Sequence, residues 1–243
     1  MLKLKSGTRG AKEIIGTTKL KEIFGRYKST NLEVAIIGAG VSGLSAALFL
    51  KKLGCKVIVF EKEKDIRSEG AGIQITPNGL FVLKQLGLER PAVESGLKPN
   101  SLCLFDEDDF KRIGCLEILN RLKSRYGSSF ITLHRSQLLK ILFEKVKEKK
   151  IQVNFGSKAL PLVRKDGEVV CIFNKGKKLE KDLIVVADGV GSSWKKTVFG
   201  EIKTRSISQS AYRFVISNKN LPSIFLKNNI NLFFGRGRHF VTY

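Results

Sequence analysis

The stretch from Leu32 to Lys62, LEVAIIGAGVSGLSAALFLKKLGCKVIVFEK, constrains the fold more than any other part of this 243-residue chain. An apolar run ends in Gly38-Ala39-Gly40-Val41-Ser42-Gly43. A helix-compatible segment follows, then a second β-rich run, Val57-Ile58-Val59-Phe60, closed by Glu61. Strand, glycine turn, helix, strand and acid, in that order, spell a βαβ unit of the dinucleotide-binding kind. Each part has a physical task. Gly38 permits the tight turn, Gly40 lets the backbone approach a pyrophosphate, and Gly43 lets helix and strand pack closely. The phosphates then sit at the positive end of the helix, where Val41 and Ser42 begin it. Glu61, 18 residues after Gly43, stands where a carboxylate accepts hydrogen bonds from ribose hydroxyls, with Lys62 beside it.

A bare GxGxxG is a weak signal; here the flanking strands, the helix and the acid all agree with it. A membrane span is the competing reading of Val34 to Leu50. That stretch is too short and holds three glycines and two serines, so it does not fit.

The remaining composition narrows the partners. The chain is long enough for one large domain or two smaller ones. Its 44 basic and 22 acidic residues leave a net charge of +22, which attracts anions. The lysines are nevertheless spread along the chain and interleaved with acids, as in Glu144-Lys145-Val146-Lys147-Glu148. No aromatic–basic repeat marks a nucleic-acid groove, and no nucleic-acid partner is expected. Cys55, Cys103, Cys115 and Cys171 form no CxxC pair, and His134 and His239 are far apart. Neither a metal site nor a disulfide framework is expected, and a reducing, cytoplasmic setting is the default. Residues 1–30 carry eight basic and two acidic side chains and no apolar core of a secretory signal. They read as a poorly ordered basic extension, with a targeting or peripheral membrane-surface role as the other reading.

Further along, Lys62 to Glu69 is a charged loop leading to Gly70-Ala71-Gly72-Ile73. Thr76-Pro77 then caps and starts a helix that stops at Gly87. Ser101 to Ile118 holds strands around an acidic turn, Asp106 to Asp109. A short strand at Phe130–Leu133 precedes a helix from Arg135 to Lys149. Strands follow at 151–155, 160–163 and 168–173, with turns at 165–167 and 175–176. Asp182 to Ala187 has the continuous apolarity of a buried parallel strand and ends in Asp188-Gly189. Ala211–Ile216 and Leu232–Tyr243 read as further strands. A βαβ unit whose return strand comes so late implies a second domain inserted into the first.

On these residues the chain resembles the class A FAD-dependent aromatic hydroxylases, which share the fold of p-hydroxybenzoate hydroxylase, and within them the salicylate-hydroxylase-like group. Four patches carry the resemblance: the glycine turn with Glu61; Gly70 to Asn78 with Leu86-Gly87-Leu88 behind it; His134-Arg135; and Asp188-Gly189 with Ser192. It implies an α/β fold: a Rossmann-like FAD-binding domain of the glutathione-reductase type with a β-meander, at 31–100 and 131–200. It also implies part of an inserted β-sheet substrate domain, at 101–130 and 201–243. The implied activity is monooxygenation of a small phenolic molecule with FAD, NAD(P)H and O2. Gly72, Arg135 and Asp188 join Gly38, Gly40, Val41, Ser42, Gly43, Glu61 and Lys62 as implied cofactor contacts, and Arg135 is similar to the family's flavin-reaching arginine. Tyr212 and Arg213, on an expected strand, are candidates for the aromatic-ring pocket, with plain sheet-surface side chains as the other reading. His134 reads as a neighbour of Arg135 rather than a base, and no catalytic residue is named.

The sequence departs from that family in two places. Lys195 stands where the Asp-Gly motif usually closes with arginine, which keeps the charge but loses the planar fork. The second flavin motif, a Gly-Asp followed by proline, does not occur in it, so the sequence reads as the amino-terminal portion of a larger enzyme. A non-catalytic nucleotide-binding fragment is the alternative. An NAD-dependent dehydrogenase is a third, opposed by the inserted strands and the Gly70–Ile73 patch. Oligomeric state is not legible.

Overall fold

The computed structural model describes residues 2–4, 31–66, 70–163, 169–173, 178–200, 209–217, 219, 221–222, 225 and 228–243. The elements run β1 (Leu2–Leu4), β2 (Glu33–Ile37), α1 (Val41–Lys52), β3 (Lys56–Phe60), β4 (Gly72–Ile75), α2 (Pro77–Gln85), α3 (Glu89–Glu94), β5 (Ser101–Asp106), β6 (Arg112–Glu117), α4 (Leu119–Tyr126), β7 (Ile131–His134), α5 (Arg135–Glu148), β8 (Gln152–Asn154), β9 (Leu160–Val163), β10 (Val169–Ile172), β11 (Lys178–Leu179), β12 (Leu183–Val186), α6 (Ser193–Phe199), β13 (Asn229–Gly235) and β14 (Arg238–Thr242). They divide into two units, Met1–Arg67 with Leu142–Gln209, and Ser68–Ile141 with Ser210–Tyr243.

The first unit is built on a five-stranded sheet in the order β1-β12-β2-β3-β8. β12, β2, β3 and β8 are parallel, and β1 adds to the edge antiparallel to β12. Of the expected basic extension, Leu2–Leu4 forms this edge strand; the rest of residues 1–30 lies outside the described residues. Alternation along β2 explains its unbroken apolar run, because both faces of the sheet are covered. The Ile36 side chain lies on the side of α1, 3.5 Å from where a β-carbon on Gly43 would sit. Ala35 and Ile37 point the other way, into a cluster with Phe60, Ala159, Cys171 and Trp194. That second face is roofed by an antiparallel meander, β9-β10-β11, whose flanking Phe173 meets Phe60 at 4.4 Å between ring centres. The turns expected at 165–167 and 175–176 lie outside the described residues.

A polar staple closes the amino-terminal ends of β2 and β12. The Glu33 N–H donates to Asp182 Oδ2 at 2.8 Å, and Lys181 Nζ donates to the Glu33 carboxylate at 2.7 Å. That lysine holds the Glu33 carboxyl below its ordinary range, chiefly through the hydrogen bond. Burial pushes the Cys171 thiol up to about 12, so it stays protonated and inert at neutral pH.

In the second unit β14-β13-β5-β6 form one sheet. Two hairpins, β5–β6 and β13–β14, join through a parallel β5–β13 pair. One face carries Cys103, Phe105 and Phe233 under Phe225; the other packs Ile230 with Ile118 and Phe130. The acidic turn forms as expected and docks on the second hairpin. The Glu107 N–H donates to Phe234 O at 3.0 Å, and Arg238 Nε donates to the Glu107 carboxylate at 2.6 Å. That carboxylate occupies the space a side chain at Gly235 would need. Thr76 takes the N-cap position of α2 with Pro77 behind it, although its hydroxyl bonds the Asn78 side chain and not the helix backbone.

Two expectations are corrected. The β5–β6 register sets Cys103 directly opposite Cys115, with Cα atoms 4.0 Å apart, and the two are joined as a disulfide. Sequence spacing of 12 residues could not show this, because the turn, not a CxxC motif, makes them neighbours. Second, Ala211–Ile216 forms no strand; it has no ladder partner among the described residues, and its side chains lie in solvent. Residues 70–99 and 131–141 group with the four-stranded sheet in the second unit.

Trp194 is the largest side chain in the meander-side cluster, and its Nε1 donates to Ala159 O at 3.4 Å. Replacing it with alanine is expected to destabilise the first unit by about 3–5 kcal/mol, read as a lower denaturant midpoint in urea unfolding.

Candidate cofactor site

The glycine turn between β2 and α1 is held by contact on two sides. Gly38 has φ +105°, and its N–H donates to Phe60 O at 2.7 Å. A β-carbon on it would fall 2.4 Å from Ala187 O, and one on Gly43 would fall 1.9 Å from Gly38 O. Both positions exclude side chains for packing reasons alone. Gly40 is different: a β-carbon there would meet nothing within 4 Å. It sits at the N-cap of α1 in extended conformation and supplies no capping side chain. The N–H groups of the first helical turn, at Val41 and Ser42, have no intrahelical acceptor, and the space beside the Gly40 α-carbon is open. A site of this form receives a phosphate.

Glu61 follows β3 and is half-buried. Its Oε2 accepts the Ala39 N–H at 2.7 Å, and its Oε1 accepts the Glu63 N–H at 3.0 Å. The neighbouring Lys62 is a surface side chain 57% exposed, 4.0 Å from Glu63 Oε1. Asp188 and Gly189 follow β12 at the same turn. The Ala187 N–H donates to Ile37 O at 2.8 Å, and the Asp188 Cα lies 3.2 Å from the missing Gly38 β-carbon. Lys195 Nζ reaches back to Val190 O at 3.3 Å, and Ser192 Oγ accepts the Trp194 N–H at 3.2 Å, tying α6 to this loop. Two of the four sequence patches therefore converge in the first unit. A cavity of about 410 Å3 elsewhere in that unit is lined by Phe60, Asn154, Ser157, Phe173 and Lys178, and by none of the expected site residues.

The other two patches converge in the second unit. β4 pairs antiparallel with β7, which sets Gly72 opposite His134. The Arg135 N–H donates to Ala71 O at 3.1 Å, and a β-carbon on Gly70 would lie 3.0 Å from the Arg135 Cβ. His134 Nδ1 is engaged with Ser136 Oγ at 2.6 Å, beside the start of α5. The space beside Gly72 belongs to Tyr243. Its ring lies 2.7 Å from the missing β-carbon, and its hydroxyl donates to Gly72 O at 2.6 Å. The sequence reading missed Tyr243, which becomes a neighbour only through tertiary structure. Tyr212 and Arg213 are not brought to either cluster; Tyr212 is 89% exposed in a segment without regular structure.

A parallel sheet with an uncapped helix start behind an open glycine, and an acid after the next strand, defines a dinucleotide-binding α/β protein. Residues 31–233 match the FAD binding domain family, and the chain belongs to it. It is 30% identical over 211 residues to 3-hydroxybenzoate 6-hydroxylase 1 of Aquipseudomonas alcaligenes, covering 86% of this chain and 54% of that protein. It is 28% identical to 3-amino-4-hydroxybenzoate 2-monooxygenase of Streptomyces cremeus, covering 88% and 53%. The chain thus spans about half the length of the curated relatives it matches. Among solved structures it is similar to the tetrameric form of 2-methyl-3-hydroxypyridine-5-carboxylic acid oxygenase, with TM-score 0.58 and 29% identity over 68% of this chain and 41% of that one. The fold is shared with Klebsiella pneumoniae HpxO complexed with FAD and uric acid, at TM-score 0.69 and 24% identity over 88% and 54%. These relatives are flavin monooxygenases and hydroxylases, an enzyme family whose cofactor is FAD. The first unit fits that cofactor: the opening at Gly40 and the free N–H groups suit its pyrophosphate, and Glu61 has acceptor capacity left for a ribose.

Gly40 and Gly43 should separate cleanly on substitution. Gly43→Ala is expected to cost about 1–3 kcal/mol of stability through overpacking. Gly40→Ala should leave stability within about 0.5 kcal/mol yet lower FAD affinity at least about tenfold, because the methyl occupies the phosphate opening. Thermal melts and FAD titrations of both variants check this.

Proposed function

We propose that this chain supplies the FAD-holding part of a monooxygenase that hydroxylates a small phenolic molecule with NAD(P)H and O2. The observation that carries the reading is the open helix start at Gly40, with Glu61 and Asp188 at the same turn. The names of the relatives support the aromatic substrate class. We read the nucleotide portion, a βαβ sheet roofed by a meander, as an FAD domain of the glutathione-reductase type.

The chain's own residues do the binding. The Val41 and Ser42 N–H groups receive the pyrophosphate, and the Glu61 carboxylate accepts the adenosine ribose hydroxyls. Asp188 borders the turn through the backbone of Gly38. Arg135, a cation at the positive start of α5, calls for an anionic or electron-rich partner. FAD, when bound, supplies the redox chemistry, and the protein supplies position and exclusion of water.

Protein purified with added FAD is expected to retain a flavin band near about 450 nm, a property of the cofactor itself, and the band should bleach with NADH or NADPH. A colourless protein that binds NAD tightly and FAD not at all would overturn the reading. Glu61→Ala should weaken FAD by about 1.5–3 kcal/mol, the range for hydrogen bonds to a charged group; unchanged retention would show that the carboxylate points elsewhere.

A further inference from the structure

Glu61 is assigned above to a ribose, but in the structure its carboxylate already has backbone partners. Oε2 accepts the N–H of Ala39, the middle residue of the turn, and Oε1 accepts the N–H of Glu63. Ala39 is buried, at 6% exposure, so its N–H must find an acceptor inside the protein. The turn is therefore tied to the end of β3 twice: once by Gly38 N–H to Phe60 O, once by Ala39 N–H to Glu61. The two bonds reach consecutive residues of the turn and leave Gly40 presented at the helix start. A carboxylate has about four lone-pair sites; two are spent here, and two are free for ribose hydroxyls.

We infer that Glu61 is a positioning residue for the phosphate turn as well as a ribose contact. Its carboxylate fixes Ala39, and so the Gly38–Gly40 backbone, before any nucleotide arrives. The inference rests on the FAD reading of the same turn and deepens it. A pure ribose contact affects only ligands that carry ribose hydroxyls. A strut under the turn affects every ligand that places a pyrophosphate there.

Dideoxy-ADP, which has the pyrophosphate and no ribose hydroxyls, separates the two roles. Glu61→Gln and Glu61→Ala both remove the negative charge, but glutamine keeps a carbonyl oxygen for the Ala39 N–H. The expected result is that Glu61→Ala binds dideoxy-ADP about five- to tenfold more weakly than Glu61→Gln, the size of one hydrogen bond, with both variants folded by circular dichroism. Equal affinities would overturn the inference. Hydrogen exchange in the ligand-free wild-type protein gives a second readout that needs no variant. The Ala39 amide should be protected, and exchange at the rate of an unfolded chain would overturn the strut. A wild-type protein that binds neither FAD nor ADP would defeat the functional reading instead, while exchange at Ala39 still decides the strut.

Discussion

Three backbone segments meet at Gly38 with no room for a side chain. The end of β12 presses on it at Ala187, the start of α1 presses on it at Gly43, and its own N–H is taken by the end of β3. This close approach sets the distance between α1 and the sheet. It also places the helix start, Glu61 and Asp188 around one point, so that binding groups drawn from three strand ends need no further device to converge. A methyl group on Gly38 would push against the end of β12, and one on Gly43 would push α1 away from the turn.

The parts of the molecule that were legible in sequence are those governed by short-range rules. The βαβ unit is contiguous, its glycines are demanded by local geometry, and its acid lies at a spacing set by one helix and one strand. The late return strand was legible too, because its unbroken apolar run has few other uses than burial on both faces. The motif also told the glycines apart: Gly43 is a packing position, Gly38 is a positive-φ turn that contact closes as well, and Gly40 is the one left open.

Long-range register was not legible. Cys103 and Cys115 are neighbours because the Asp106–Lys111 turn aligns β5 and β6, and nothing in the cysteine spacing encodes that alignment. Tyr243 meets Gly72 across 171 residues, so the glycine's reason lies in a residue far outside its motif. The segment from Ala211 to Ile216 shows the converse error. Its β-branched and aromatic residues fit a pleated surface, but propensity becomes a strand only where a neighbouring strand pairs with it.

The parallel pairing of β5 with β13 carries a consequence for how the chain acquires its shape. Leu102 and Ile230 are partners in the sheet but stand 128 positions apart along the polypeptide. On a ribosome, the β5–β6 hairpin emerges long before the strand that completes its sheet. Its apolar side chains, Leu102 on one face and Phe105 on the other, must wait in the meantime. The same delay applies to β2, whose neighbour β12 follows it by about the length of a small domain. Closing such distant pairs is slow, because loop entropy is lost before the contacts repay it. The interleaving of the two units thus makes this chain a late-assembling one, most exposed to aggregation while its final strands are still unmade.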